Sequence, residues 1–139
     1  MEVKLCRVGT IYLPVTNVVK SVDWYVRKIG AELSYQDKDK AILNLAEISI
    51  FLVRTDKDQT SNFFDIYGNE RFIMTFEVDG LAALEQAHQE LKELWCKVGE
   101  IENRGHAGRN FIFEDPDGNK FDVWSELSPK FKKKYSTMF

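Results

Sequence analysis

Few side chains in this sequence could do chemistry. Among 139 residues there are two histidines, His88 and His106, and two cysteines, Cys6 and Cys96. The cysteines form no Cys-x-x-Cys pair and are too few for a disulfide framework, so both are expected to be buried free thiols. His88 falls on or beside the apolar stripe of a helix pattern, where packing is the ordinary role. His106 stands in the turn 103–108, just before Arg109. Together these two could bind an anionic ligand, arginine through its forked donors. The plainer alternative is an exposed loop histidine and a surface ion pair worth little. Asp122 is the most informative polar residue. It alternates with Phe121 and Val123, so a carboxylate interrupts an apolar strand pattern. It could accept a hydrogen bond from a ligand or act as a base; alternatively it points outward, or pairs with Arg109 or a lysine.

The elements that must position these residues follow from periodicity. Thr10–Val15 reads as a strand from its β-branched and aromatic content. Thr16 or Asn17 can cap a helix whose face is Val18, Val22, Tyr25 and Ile29, closed by Gly30. Strands are expected around 32–35, 41–45 and 48–53, and the polar stretch 55–62 reads as a loop. The pattern then restarts. Residues 71–78 read as a strand, and a helix over 80–93 carries a stripe of Leu81, Leu84, Ala87 or His88, and Leu91. Strands are expected over 95–102 and 109–114. Asp115-Pro116-Asp117-Gly118 is a turn, with proline at i+1 and glycine where positive φ is needed. Residues 120–124 form the last strand, and Ser128-Pro129 can start a C-terminal helix as N-cap and N1.

The chain thus reads strand, helix, strands, twice over. Val15-Thr16-Asn17-Val18 matches Val78-Asp79-Gly80-Leu81 at an offset of 63, and the periodicity rather than identity carries the repeat. Strand parity divides the faces. Ile11, Leu13 and Val15 share one side, expected against the helix, and Thr10 and Tyr12 take the other. In the second copy Met74, Phe76 and Val78 oppose Ile73 and Thr75. Phe121 and Val123 oppose Asp122 and Trp124. Trp24-Tyr25 in the first helix reads as helix packing.

Composition fits a soluble globular protein: 44% apolar, 29% charged, net charge −3. That balance excludes neither enzyme nor binder, but gives no reason to expect nucleic acid or an anionic membrane as partner. The basic run Lys130, Lys132, Lys133, Lys134 is too short to reverse it. No stretch approaches the ~20 apolar residues of a membrane span, and the first residues lack the pattern of a secretory signal, so the expected address is cytoplasmic.

Two segments carry a family resemblance. Residues 13–33, LPVTNVVKSVDWYVRKIGAEL, and residues 106–124, HAGRNFIFEDPDGNKFDVW, with FEVDGL at 76–81 between them, resemble the vicinal oxygen chelate superfamily. That group holds glyoxalase I, extradiol dioxygenases, fosfomycin-resistance enzymes and bleomycin-binding proteins. The resemblance implies an α+β fold: two βαβββ modules forming curled mixed sheets around a cleft, with helices outside. It implies one glyoxalase-like domain over 1–139, with module one about 5–54, a linker about 55–70, module two about 71–126 and a tail over 127–139. It further implies a divalent metal held by four side chains and acting as a Lewis acid.

Carried onto this chain, the four metal positions fall on Thr10, Phe51, Ile73 and Asp122, of which Asp122 alone is a credible ligand. A catalytic Zn²⁺ normally takes three protein ligands, so no metal and no cofactor are expected, and glyoxalase I activity is not supported. The favoured reading is a metal-independent small-molecule-binding protein resembling the bleomycin-binding branch. Its ligand, aromatic or amphipathic, would meet Thr10, Tyr12, Phe51, Ile73, Thr75, His106, Arg109, Asp122 and Trp124. The alternative is a metal-dependent or metal-free lyase, isomerase, transferase or dioxygenase; a third is an interaction protein whose cleft has closed. A homodimer is expected, by resemblance and from the 18 aromatic residues.

Overall fold

The computed structural model describes residues 2–138. The chain divides into two compact units, 1–60 and 61–139. The first contains β1 (Thr10–Val15), α1 (Val18–Ile29), β2 (Glu32–Gln36), β3 (Lys40–Leu45) and β4 (Ile48–Arg54). The second contains β5 (Phe63–Phe64), β6 (Glu70–Arg71), β7 (Thr75–Glu77), α2 (Leu81–Glu93), β8 (Lys97–Val98), β9 (Asn110–Glu114), β10 (Lys120–Trp124) and α3 (Pro129–Met138).

The repeat read from the sequence is present as topology. The first sheet runs β1-β4-β3-β2 and the second β7-β10-β9-β8. In each, the first strand lies parallel to the last, and the remaining pairs are antiparallel. A parallel pair needs a crossover connection, and the helix of each copy lies within it. The registers also coincide: Tyr12 pairs with Phe51, and Thr75, its counterpart at the 63-residue offset, pairs with Asp122. Phe51 is therefore the first copy's counterpart of Asp122, as expected.

The first unit is built as its periodicity demands. Asn17, not Thr16, caps α1, its side chain accepting from Lys20 N at 3.0 Å. Gly30 closes the helix at φ 72°, and Ala31 N donates to Tyr25 O. Leu13, Val15, Val18, Val22, Tyr25, Ala41, Leu43, Ile50 and Leu52 form the core, so Leu13 and Val15 of β1 point inward as expected, while Ile11 is only half-buried. Between β2 and β3, Asp37 accepts from Asp39 N and Lys40 N. The Lys40 ammonium and the Tyr35 hydroxyl hold its carboxyl below the usual carboxylate range.

The β3–β4 turn carried no sequence signal. Leu45 pairs with Ile48, which leaves a two-residue loop of Ala46 (φ 51°) and Glu47 (φ 67°). A hairpin loop with both central residues at positive φ favours Asn-Gly. Ala46→Asn with Glu47→Gly should therefore raise the unfolding free energy by about 1 kcal/mol, measurable by urea denaturation.

The second unit departs from expectation in two strands. The strand expected over 71–78 is broken. Glu70 and Arg71 turn away to pair with Phe64 and Phe63, and only Thr75–Glu77 joins the main sheet. The strand expected over 95–102 shrinks to Lys97–Val98 plus a single bridge between Glu102 and Asn110. Trp95 sits at φ 64° and is 92% exposed, so the chain is still turning out of α2 there.

The core of this unit is Met74, Leu84, Leu91, Phe111, Phe113, Phe121 and Val123, while Leu81 of the expected stripe is half exposed. His88 packs edge-on against Phe111 and bonds Gly99 O at 2.8 Å, the structural role its position suggested. The DPDGN turn forms as expected. Gly118 has φ 86°, and Asp115 Oδ1 accepts from Asp117 N and Asn119 N. Asn119 and Asn62 tie this turn to the segment before β5: Ser61 N donates to Asn119 Oδ1, and Lys120 N to Asn62 Oδ1. The expected C-terminal helix is present as α3; Ser128 N donates to a Glu77 carboxylate oxygen, and Lys132 N to Ser128 O.

The expectation of buried thiols is overturned: Cys6 is exposed and Cys96 half-buried. Cys6 precedes β1 in a segment without regular structure, so no sheet covers it. Among the described residues no helix is long and apolar enough to cross a membrane.

Candidate functional site

Of the expected site residues, Thr10, Tyr12, Phe51, Thr75, Asp122 and Trp124 lie on strands, while Ile73, His106 and Arg109 lie outside them. In the first unit, Tyr12, Phe51, Ile42 and Tyr35 lie in one cross-strand row. The Tyr12 and Phe51 rings stack, 4.8 Å between centroids and 23° between planes. Tyr12 remains 63% exposed, so this aromatic pair is not core filling within its unit. Thr10, one step along the same face, is exposed and pairs with Ser49.

In the second unit the corresponding row is Thr75, Asp122 and Ile112. Asp122 is 2% exposed. Its Oδ2 accepts from Thr75 Oγ1 at 3.0 Å and from Asn110 Nδ2 at 2.9 Å. Its Oδ1 lies 3.0 Å from Arg104 Nη1 in an ion pair that lacks hydrogen-bond alignment. Arg104 also donates from Nε to Glu102 Oε2 at 2.7 Å, and its guanidinium lies 5.7 Å from the centre of the Phe72 ring. Asp122 thus faces inward, paired by an arginine as one expectation had it, but by Arg104 rather than Arg109 or a lysine.

Arg109 is spent locally. Its backbone N–H donates to Ser125 Oγ at 2.8 Å and its Nη1 to Gly108 O at 3.0 Å. His106 meets Trp124 edge-on at 5.7 Å. Trp124 Nε1 donates to Ala107 O at 2.9 Å, and His106 Nδ1 lies 2.8 Å from the same oxygen. Ile73 is half exposed in a bend just before β7. Three groupings result: Tyr12 with Phe51; Thr75 with Asp122; His106 with Trp124. Arg104, Asn110, Glu102 and Phe72 were missed from the sequence. Asn110 could have been found by strand parity, since it shares a face with Asp122. Nothing in the spacing of Arg104 or Phe72 ties either to that carboxylate.

A family model described as Glyoxalase/Bleomycin resistance protein/Dioxygenase superfamily matches residues 7–123. The chain belongs to this superfamily. Among solved structures, FosX, the genomically encoded fosfomycin resistance protein of Listeria monocytogenes complexed with Mn(II) and sulfate, is 18% identical. The match covers 95% of this chain and 99% of that one, at a TM-score of 0.72. TnmS3, an antibiotic-binding protein from Streptomyces sp. CB03234, is 20% identical over 88% of this chain and 98% of that one, at 0.69. Lactoylglutathione lyase from Agrobacterium tumefaciens is 15% identical over 86% and 93%, at 0.68. Among curated protein sequences none matches.

The superfamily's metal can be tested against the residues present. The positions that the resemblance assigns, Thr10, Phe51, Ile73 and Asp122, offer one weak neutral oxygen, two side chains without a donor atom, and one carboxylate. Among the described residues no cluster of three or more His, Cys, Asp or Glu could hold an ion. The single carboxylate already accepts two hydrogen bonds and faces a guanidinium. This donor set does not fit a divalent metal of the glyoxalase superfamily.

Proposed function

We propose that this chain is a metal-independent small-molecule-binding protein of the kind found in the bleomycin-binding branch of the superfamily. One observation carries the reading. The only acidic residue at the four metal positions is neutralised by the protein's own Arg104 at 3.0 Å, while its counterpart in the first unit is an aromatic ring stacked on Tyr12. Chemistry that would coordinate oxygen is replaced by a surface that stacks on a planar molecule. TnmS3, which shares the fold, is an antibiotic-binding protein, and its likeness supports a binder.

Protein purified without an affinity tag should carry no stoichiometric Zn²⁺, Ni²⁺, Fe²⁺ or Mn²⁺, and EDTA should leave its Tm unchanged. An aromatic or amphipathic ligand should instead raise Tm as RT ln(1 + [L]/Kd). Tyr12→Ala should weaken that ligand about tenfold, the worth of one lost aromatic contact. One equivalent of metal by elemental analysis, lost in Asp122→Ala, would restore the metalloenzyme alternative.

A homodimer belongs to the same reading. Phe63, Phe64, Ile66 and Tyr67 are all at least half exposed around the β5–β6 hairpin, and aromatic residues are enriched at interfaces. Sedimentation should give twice the chain mass of 16.2 kDa at micromolar concentration; the monomer mass would refute it.

A further inference from the structure

Arg104 is held by two carboxylates and an aromatic ring. Two carboxylates grip the guanidinium, Glu102 at 2.7 Å and Asp122 at 3.0 Å, and the Phe72 ring lies 5.7 Å away. Asn110 is 3% exposed and bonds Asp122 through Nδ2. The Asp122 carboxylate fixes the orientation of that amide, because only the NH₂ side can donate to it. Asn110 Oδ1 is thereby left buried beside the carboxylate without a donor. A buried carbonyl without a donor is costly, and it calls for a partner that enters the site.

The set is therefore rich in acceptors: two negative charges, one orphaned amide oxygen and one aromatic face. Arg104 satisfies it incompletely, since Asp122 Oδ1 has contact but no aligned hydrogen bond. A groove of about 230 Å³ shares Glu102 with this set and is lined besides by Ile112, with Glu100 and Glu114 against Lys97 and Lys120. Carboxylates outnumber ammonium groups there, and Ile112 is the register partner of Asp122. The groove is smaller than most drug-sized pockets, which suits a head group.

We infer that this set takes the amidinium or guanidinium head of a ligand, and that Arg104 is its internal, displaceable occupant. The inference deepens the small-molecule-binding reading and rests on it. A planar cation with forked N–H donors matches both carboxylates and brings further donors for Asn110 Oδ1, while the ring face of Phe72 favours positive charge. Arg104 is 23% exposed, so its side chain can leave by rotation toward water with no change in the strands beneath. While bound, it keeps the buried carboxylate from standing unpaired when no ligand is present.

The test uses the full chain and two probes. In Arg104→Ala, methylguanidinium chloride should raise Tm by a few degrees, saturating in the millimolar range, where equal sodium chloride does not. The rise should vanish in Arg104→Ala/Asp122→Asn. In the wild-type chain, benzamidinium should shift the NMR signals of the Asn110 side-chain amide and of Arg104 Nε, with affinity at least tenfold below that of Arg104→Ala. This titration decides the matter alone if Arg104→Ala does not fold. No methylguanidinium-dependent rise in a folded Arg104→Ala, an equal rise in the double variant, or wild-type signals that benzamidinium leaves unmoved or that benzoate moves equally would each overturn the inference. Those failures leave the binding reading intact, because that reading is judged by metal content and by the effect of Tyr12→Ala.

Discussion

Asp122→Ala is expected to lower the unfolding free energy by about 3 kcal/mol, a fall in Tm of about 10 °C for a chain of this size. The carboxylate is 2% exposed and holds Thr75 Oγ1, Asn110 Nδ2 and Arg104 Nη1. Removing it leaves a half-buried guanidinium and a buried amide without their acceptor, and that loss exceeds anything the alanine methyl recovers. The figure stands at the low end for broken buried pairs because Arg104 keeps some water contact and retains Glu102. Asp122→Asn should cost less, since an amide oxygen still accepts from Thr75. Replacing both partners, Asp122→Leu with Arg104→Met, should recover most of the loss, because an apolar pair leaves no uncompensated charge. Urea denaturation of Asp122→Leu, Arg104→Met and the double variant closes this cycle. A single-variant loss under 1 kcal/mol would mean that Asp122 is hydrated rather than held by its partners.

Gly108→Ala is expected to cost about 3 kcal/mol, roughly 1 from positive φ and the rest from overpacking. Gly108 sits at φ 76°, and a Cβ there would meet Ser125 Oγ at 2.6 Å, Glu126 Cγ at 2.8 Å and Trp124 Nε1 at 3.0 Å. Two of these neighbours cannot move freely. Ser125 is 2% exposed and accepts from Arg109 N, and Trp124 is tied to Ala107 O. Gly105→Ala provides the comparison: φ is 88° there, but nothing lies within 4 Å of the added carbon, so only the conformational cost of about 1 kcal/mol should appear. Equal losses in the two variants would refute the steric account. If His106 and Trp124 bind the ligand, Gly108→Ala should also weaken it, because the methyl pushes on the indole that His106 abuts.

The legible parts of this protein were those that one segment's periodicity controls. α1 was readable because Val18, Val22, Tyr25 and Ile29 recur at helical spacing between a capping Asn17 and Gly30, and no other segment was needed to decide it. The DPDGN turn was readable because proline and glycine restrict φ locally. Strand parity placed Leu13 and Val15 inward and Tyr12 outward, and it set Phe121 and Val123 against Asp122 and Trp124. Where two segments competed for the same backbone hydrogen bonds, the reading failed. Residues 70–71 have strand character, but whether they join β10 or pair with Phe63–Phe64 depends on a segment seven residues away that looked like linker. The Ala46-Glu47 turn gave no signal, since hairpin register forced positive φ on residues that do not favour it.

The sequence by itself determined the doubled strand–helix–strands order and the alternation of faces along β1 and β10. Those properties depend on residue type and on a period of two or 3.6, which travel with the chain. Tertiary structure alone decided what Asp122 does. Its partner, Arg104, comes from an irregular loop with no period to relate it to β10; Asn110 of β9 donates to the same carboxylate, while Glu102 and Phe72 meet the guanidinium of Arg104. Long-range ion pairs are selected by which side chains happen to be desolvated together once the sheet has formed. Arg109, the nearer arginine in the sequence pattern, bonds its own neighbour Gly108 and takes no part.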